Sequence, residues 1–350
     1  MRKKLWIVFF CAVLALPFPI FNLFSKQLST DNHENRLLTT LPAVLQSPLR
    51  EIPRKLDQFL VDNSPFRYQL VALDAALEYR CFGTSQSDQV LPGKDGWLFY
   101  KDGPDAARPV ANYQGLDTLF DTEATLAQAS AGLQRLADDL AESGCTLVLD
   151  LTPSKDRIYR AYMPDGYPIV NEENRTDRFA AYMASHTTVP VNWAYQPLCA
   201  AVKADPQRLL YFKTDTHWNH AGALLSLDGI LGTLGMETRP FEEYTLVTGE
   251  LHTGDMANVA ALYTALPTEF DYVVQGYDTM FEPDGRSIGV VGDSFSEYYM
   301  PYLRARFSNA WRLHINDIYP ELAQTPDCDI LILEVTERNL DQLIRVLAMF

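Results

Sequence analysis

The stretch Arg286-Ser-Ile-Gly-Val-Val-Gly-Asp-Ser294-Phe-Ser296 limits the fold more than any other part of this chain. Residues 288–291 form a short β-branched apolar run, the pattern of a strand buried on both faces. The run stops at Gly292, and Pro301 then opens a helical pattern through Leu303 and Phe307, since proline suits a first helical turn. A strand, a Gly-Asp-Ser turn and a helix set Ser294 at the carboxyl edge of a sheet, where open α/β folds hold their ligands. Backbone N–H groups at such an edge favour negative charge, which a hydroxyl attacking an ester requires. Alone, Gly-Asp-Ser is an ordinary turn with a small capping residue. A nucleophile there needs a base.

The remaining elements fit that architecture. Apolar spacing predicts helices over 52–61 and 66–79, 119–140, 178–186, 197–203 and 221–234. Strands are expected over 145–151, 189–193 and 209–214, and a tight hairpin over 89–100 turns at Lys94-Asp-Gly96. Strands alternating with helices of this length argue for a parallel sheet covered on both faces. The 350 residues, 47% hydrophobic, are enough to bury a large core.

The amino terminus reads as a membrane segment. Arg2, Lys3 and Lys4 precede 5–24, a run without charged side chains and of about the 20 residues that span a bilayer. The positive flank keeps that end in the cytoplasm and exports the rest. No Ala-x-Ala site follows the run, so an uncleaved signal-anchor over 1–25 is expected rather than a cleaved signal peptide. A polar tether over 26–50 and one catalytic domain over 51–350 would follow. The formal charge is −16, and more negative still without the three leading basic residues. Such a surface repels nucleic acid, and it repels a polyanionic polymer unless the site is locally basic. Lys155, Arg157, Lys213 and Arg338, all beside motif loops, are the residues available for that; a neutral or weakly charged partner is therefore expected rather than a polyanion. Cys145 and Cys328 head core strands and read as buried thiols. Two disulfides are possible outside the cytoplasm, but a chain of this size does not need them.

A base stands at Asp215-Thr-His217-Trp-Asn-His220, on a loop before an apolar helix. An Asp two residues before a His can turn its carboxylate onto the imidazole, fixing the tautomer and freeing the other nitrogen to take a hydroxyl proton. A zinc site of Asp215, His217 and His220 competes with this reading but lacks a further ligand at metal spacing. A structural turn with His217 merely packed also competes. Trp218 lies beside the base, where it either walls the substrate site or packs in the core.

The combination of Gly93-Lys-Asp-Gly-Trp-Leu-Phe99, Pro153-Ser-Lys-Asp-Arg-Ile-Tyr159, Asp215-Thr-His-Trp-Asn219 and Gly292-Asp-Ser-Phe295 resembles the alginate O-acetyltransferase-like proteins. These belong to the SGNH hydrolase superfamily and include the bacterial "DHHW" proteins. The closing Asp329-Ile-Leu-Ile-Leu-Glu334-Val-Thr-Glu-Arg338-Asn339 is similar to their last strand and turn. The resemblance implies a three-layer α/β/α SGNH-like fold with a mainly parallel central sheet. The motif order is circularly permuted, Asp-x-His preceding Ser. It further implies that Ser294 is the nucleophile, His217 the general base and Asp215 the group orienting it. No cofactor and no metal are implied. Around the oxyanion and substrate it points to the Ser294 N–H, Gly292, Asp293, Trp218, Lys155, Arg338 and Asn339. The last two stand only near the superfamily's Asn, and no glycine follows Trp311–Asn316 where its Gly donor is expected. The activity implied is acetyl transfer to an exported or cell-surface polysaccharide, outside the cytoplasm, with a membrane-bound O-acyltransferase supplying acetyl. Acetyl-ester hydrolysis is the alternative chemistry for the same triad, and a non-catalytic scaffold of an export machine is the alternative class.

Overall fold

The computed structural model describes residues 2–24, 37–101, 110–317 and 327–350. These fall into two compact units, Met1–Val90 with Ala257–Pro267 and Leu91–Met256 with Thr268–Phe350.

Helices make up the first unit's regular structure. The leading apolar run forms α1 (Arg2–Ala15) and α2 (Pro17–Phe24). The two meet at Leu16, where Pro17 has no N–H to continue the ladder and takes the first position of the second helix, while Leu16 still donates to the Ala12 carbonyl and accepts from the Ile20 N–H. Among the described residues no helix is long and apolar enough to cross a membrane; the segment expected to anchor the chain, 1–25, contains these two shorter helices. Of the expected tether, 26–36 lie outside the described residues, as does 25 in the expected anchor, and the remainder of the tether contains α3 (Leu41–Leu45). Next come α4 (Ile52–Asp62) and α5 (Arg67–Phe82), where apolar spacing predicts them. Gly83 stops α5 with φ +66°, the left-handed conformation glycine adopts without cost.

The second unit is a three-layer α/β/α fold. A hairpin, β1 (Val90–Pro92) and β2 (Leu98–Tyr100), turns through Asp95 and Gly96, both at positive φ as a tight hairpin turn requires. In chain order there follow α6 (Glu123–Glu142), β3 (Thr146–Thr152), α7 (Lys155–Ile158), α8 (Arg175–His186), β4 (Val191–Trp193), α9 (Tyr195–Ala204) and α10 (His220–Thr233). After β5 (Leu246–His252), α11 (Asp255–Val259) and β6 (Glu269–Val274) come β7 (Asp284–Gly292), α12 (Met300–Arg306), β8 (Phe307–His314), β9 (Ile330–Thr336) and α13 (Leu340–Leu347). The central sheet has the order β4-β3-β9-β7-β8, and every pairing in it is parallel.

Its central strands β3, β9 and the second half of β7 are buried on both sides, which is why they read as continuous apolar runs. Val148, Val290 and Ile332 face a core shared with α9, α10 and α12, while Leu149, Leu331 and Leu333 face one shared with α6, α8 and α13. Cys145 and Cys328 are both buried free thiols, their sulfurs 3.7 Å apart. α8 starts three residues before the expected 178 because Asn174 and Asp177 close a capping box.

The expected strand over 209–214 is not one. Tyr211 makes only an isolated bridge with Trp218. The segment's backbone groups go elsewhere: Phe212 and Lys213 carbonyls accept from Lys155 Nζ, and Lys213 and Thr214 amides donate to Glu269.

Candidate active site

Ser294 sits where β7 ends and a 3₁₀ turn, Ser294–Tyr299, begins. Gly292 packs closely on β9, where a Cβ would lie 2.6 Å from the Glu334 Oε2 and 2.9 Å from the Glu334 Cβ. Asp293 is buried and caps the turn, its Oδ1 accepting the Phe295 N–H at 3.0 Å. Its Oδ2 accepts the Thr336 N–H at 2.9 Å and Asn339 Nδ2 at 2.8 Å from the end of β9. Burial works against that charge, but the Thr336 hydrogen bonds and the Arg338 guanidinium hold the carboxyl below its ordinary range. The Asp293 carbonyl accepts from Ser296 Oγ at 2.6 Å and Arg312 Nη2 at 2.8 Å. The Ser294 N–H, first in its turn, has no acceptor within the helix.

His217 reaches the same place from the loop before α10. Asn219 caps that helix, accepting the Ala221 and Gly222 N–H groups. Asp215 Oδ1 accepts from the His217 backbone N–H at 2.8 Å and from Nδ1 at 2.6 Å, and His217 Nε2 lies 2.6 Å from Ser294 Oγ. A carboxylate only accepts, so Nδ1 carries the proton and Nε2 is left as the acceptor for the serine hydroxyl. Asp215 Oδ2 accepts from His252 Nε2 and from the Asp255 N–H, each at 2.8 Å. Burial pushes the Asp215 carboxyl up, but the hydrogen bonds from His217 and His252 outweigh it and hold the group well below its ordinary value. The chemistry open to this arrangement is proton removal from Ser294 and attack on an acyl carbon.

The structure sorts the other expected residues. Trp218 is fully buried and donates its indole N–H to the Phe295 carbonyl at 3.0 Å, so it cannot wall a sugar site. Asn339 spends its amide on Asp293 and Thr336 and holds the nucleophile turn instead of an oxyanion. Lys155 is buried at the start of α7, its ammonium donating to the Phe212, Lys213 and Asp215 carbonyls; it pins the base loop. Burial lowers its pKa to about 7. Arg338 lies over the Tyr100 and Phe295 rings at 5.0 and 5.3 Å. With Ser154, Thr216 and Phe295 it lines a hollow of about 20 Å³, room for one water-sized group. The alternative metal set is not assembled, because His220 Nδ1 pairs with Asp271 Oδ2 at 2.6 Å. Donor atoms of Asp215, His217 and Asp255 do lie within 4.8 Å of one another, but a cation there would displace the Asp215–His217 hydrogen bond.

Four supporting residues escaped sequence reasoning: His252, Asp255, Glu269 and Arg312. The one local sign was Gly254 between two polar groups in His252-Thr-Gly-Asp255. A Cβ at Gly254 would stand 2.0 Å from the Thr214 carbonyl oxygen, so this loop closes against the base loop backbone to backbone.

Comparisons with known proteins find relatives of this chain. Over 255 residues the chain is 27% identical to the probable alginate O-acetylase AlgJ of Pseudomonas syringae pv. tomato, a match covering 67% of this chain and 61% of that protein. The chain thus spans under two thirds of that relative's length. The AlgJ of Pseudomonas fluorescens is 25% identical over 245 residues, 63% of this chain and 57% of that one. Among solved structures, the O-acetyltransferase domain of Pseudomonas putida AlgJ aligns with a TM-score of 0.49 at 19% identity, over 74% of this chain and 98% of that one. A DHHW family protein from Eubacterium siraeum aligns at 0.42 and 15%, over 63% and 88%. Residues 90–311, well over half of the sequence, match the family model described as SGNH hydrolase-like domain, acetyltransferase AlgX. The chain belongs to that SGNH hydrolase-like acetyltransferase family.

Proposed function

We propose that this chain is an O-acetyltransferase that carries acetyl as an ester of Ser294 and delivers it to a polysaccharide hydroxyl. The observation carrying the reading is the contact of 2.6 Å between Ser294 Oγ and His217 Nε2, with Asp215 on the imidazole's other nitrogen. In the first half-reaction His217 Nε2 takes the hydroxyl proton as Oγ attacks the carbonyl carbon of an acetyl ester. The tetrahedral oxyanion faces the Ser294 N–H, and the departing alcohol takes the proton from His217. In the second, a sugar hydroxyl gives its proton to His217 and attacks the acetyl-serine, restoring the free serine.

Family membership and the alginate O-acetylases among the relatives support polysaccharide as the acceptor. Arg2, Lys3 and Lys4 before the apolar run support anchoring by residues 1–25 with the catalytic unit outside the cytoplasm. A membrane-bound O-acyltransferase then supplies the acetyl group. A reporter fused after Phe350 should be active when it requires export; activity only in the cytoplasm would overturn that topology.

The chemical test is acetyl release from 4-nitrophenyl acetate by the purified protein. Ser294→Ala should lower the rate at least about 1,000-fold, and His217→Ala nearly as much, because triad members act as a unit. A Ser294→Ala protein as active as the native one sinks the assignment.

A further inference from the structure

Beside the triad lies a second Asp–His pair with a cleft of its own. His220 Nδ1 pairs with Asp271 Oδ2 at 2.6 Å, and the His220 backbone N–H donates to Asp271 Oδ1 at 3.0 Å. The arrangement repeats that of Asp215 on His217. Burial opposes the Asp271 charge, but the hydrogen bond from His220 outweighs it and holds the carboxyl below its ordinary range. Nδ1 therefore carries the proton, and Nε2 has no partner among the described residues. An imidazole held this way presents a fixed acceptor.

His220 and Asp271 line a cleft of about 460 Å³ between β6 and α12. That volume falls within the roughly 300–1,000 Å³ of small-molecule sites. Tyr277 and Tyr302 are mostly buried and form its floor, Pro301 and Val273 its apolar sides, and Glu250 and Asp278 stand exposed at its rim. One ring links the cleft's histidine to the catalytic one: Tyr298 lies 5.0 Å from the His220 ring and 6.0 Å from that of His217.

Among the described residues lining the cleft, the charged or imidazole groups, His220, Glu250, Asp271 and Asp278, are all acceptors, and none is a lysine or arginine. Such a wall suits a ligand rich in hydroxyl or ammonium donors with an apolar ring face, and it repels carboxylates. We infer that this cleft is the acceptor subsite, and that it takes a neutral or amine-bearing sugar in preference to a uronate. The assignment rests on the transferase reading, but binding tests it without turnover.

The experiment is calorimetric titration of the full chain with cellotetraose, a glucosamine tetramer and a mannuronate tetramer, at low and at physiological salt. Cellotetraose or the glucosamine tetramer should bind, with mannuronate at least 10-fold weaker at low salt. Ala305→Trp, which fills the cleft from α12, should weaken the bound sugar at least 10-fold. Ala305 is partly buried, so a second variant sits on the exposed rim: Glu250→Lys with Asp278→Lys should strengthen mannuronate binding, and added salt should reverse the gain. Native protein that binds mannuronate best, sugar binding untouched by Ala305→Trp, or no binding of any tetramer would each overturn the subsite. If the sugars bind as expected while 4-nitrophenyl acetate is never turned over, the transferase reading fails and the cleft stands as a sugar site.

Discussion

Asp215 shows what single side chains contribute here. It accepts the His217 N–H and Nδ1 on one oxygen and His252 Nε2 and the Asp255 N–H on the other. Of these four donors only the two from His217 follow from local sequence, because His252 and Asp255 arrive from 37 and 40 positions away. That explains why the trio Ser294, His217 and Asp215 was legible in two short motifs while its support was not. Burial pulls the His252 imidazole down, but its bond to Asp215 and that carboxylate's charge prevail, so its pKa is raised above the ordinary value. A raised His stabilises the fold below its ordinary pKa, and that contribution is lost as pH rises through the folded value. Within the same range His252 changes how much negative charge Asp215 offers to His217. His252→Gln keeps an N–H for Asp215 but cannot titrate. It should keep acetyl release within about 10-fold of native at neutral pH and alter the shape of the pH–rate profile. His252→Ala leaves a buried acceptor short of a donor, which costs about 1–3 kcal/mol. If that cost falls on the transition state, release slows by roughly 5- to 150-fold. Superimposable profiles for the native and Gln proteins would show that His252 does not titrate in communication with the site.

Elements were legible in proportion to how simply their burial is arranged. β3, β7 and β9 are central parallel strands, so both faces are apolar and the runs announce themselves. The hairpin of β5 and β6 carries no such pattern, since Val247, Leu251, Phe270 and Val273 stay exposed and a bulge separates Thr248 from Leu251. Segment 209–214 misled for the opposite reason. Its apolar side chains suit a strand, but Lys155 and Glu269 claim its backbone groups, and no local pattern shows a partner that distant. The Arg2–Phe24 stretch likewise reads as one helix by hydropathy, whereas Pro17 divides it. At this scale the decisive position is Gly254, where a methyl group would meet the Thr214 carbonyl oxygen at 2.0 Å. Neither backbone can yield without breaking the Asp255–Asp215 or Thr214–Glu269 hydrogen bonds. Gly254→Ala should therefore lower acetyl release at least about 10-fold and reduce the melting temperature by several degrees, a cost of roughly 1–3 kcal/mol for overpacking. Thermal melting and ester turnover on one sample check both, and a variant matching native in the two would mean the loops do not depend on this approach.

Across the whole catalytic unit, the sheet that positions Ser294 also buries acid. Asp150 on β3 and Glu334 on β9 are register partners, fully buried on the side that carries α10, and α10 adds Asp228. Burial raises Asp150 to about 7, although Tyr299, Asn192 and Ser226 hydrogen-bond to it, and it raises Asp228 to about 7 against the Tyr244 hydroxyl. Glu334 is likewise raised, by burial and by the charges of Asp293 and Asp150. Unfolded, all three would ionise near pH 4. Between about pH 4 and 7 the folded chain thus binds protons that the unfolded chain releases, so stability falls as pH rises through that window and levels off above it. Asp215 and Asp293 act with the opposite sign, their contribution being lost only as pH falls below the ordinary carboxylate range. The melting temperature should accordingly peak in mildly acidic buffer and decline towards pH 8, each kcal/mol lost lowering it by roughly 2–4 °C for a unit of this size. Asp150→Asn keeps the shape and removes one of the titrating groups. Its decline between pH 5 and 8 should be shallower than the native one, and the two curves should converge at the acid end, where Asp150 is protonated. Scanning calorimetry from pH 4.5 to 8 decides it: a native melting temperature that climbs steadily to pH 8 would mean these acids enter the fold already ionised.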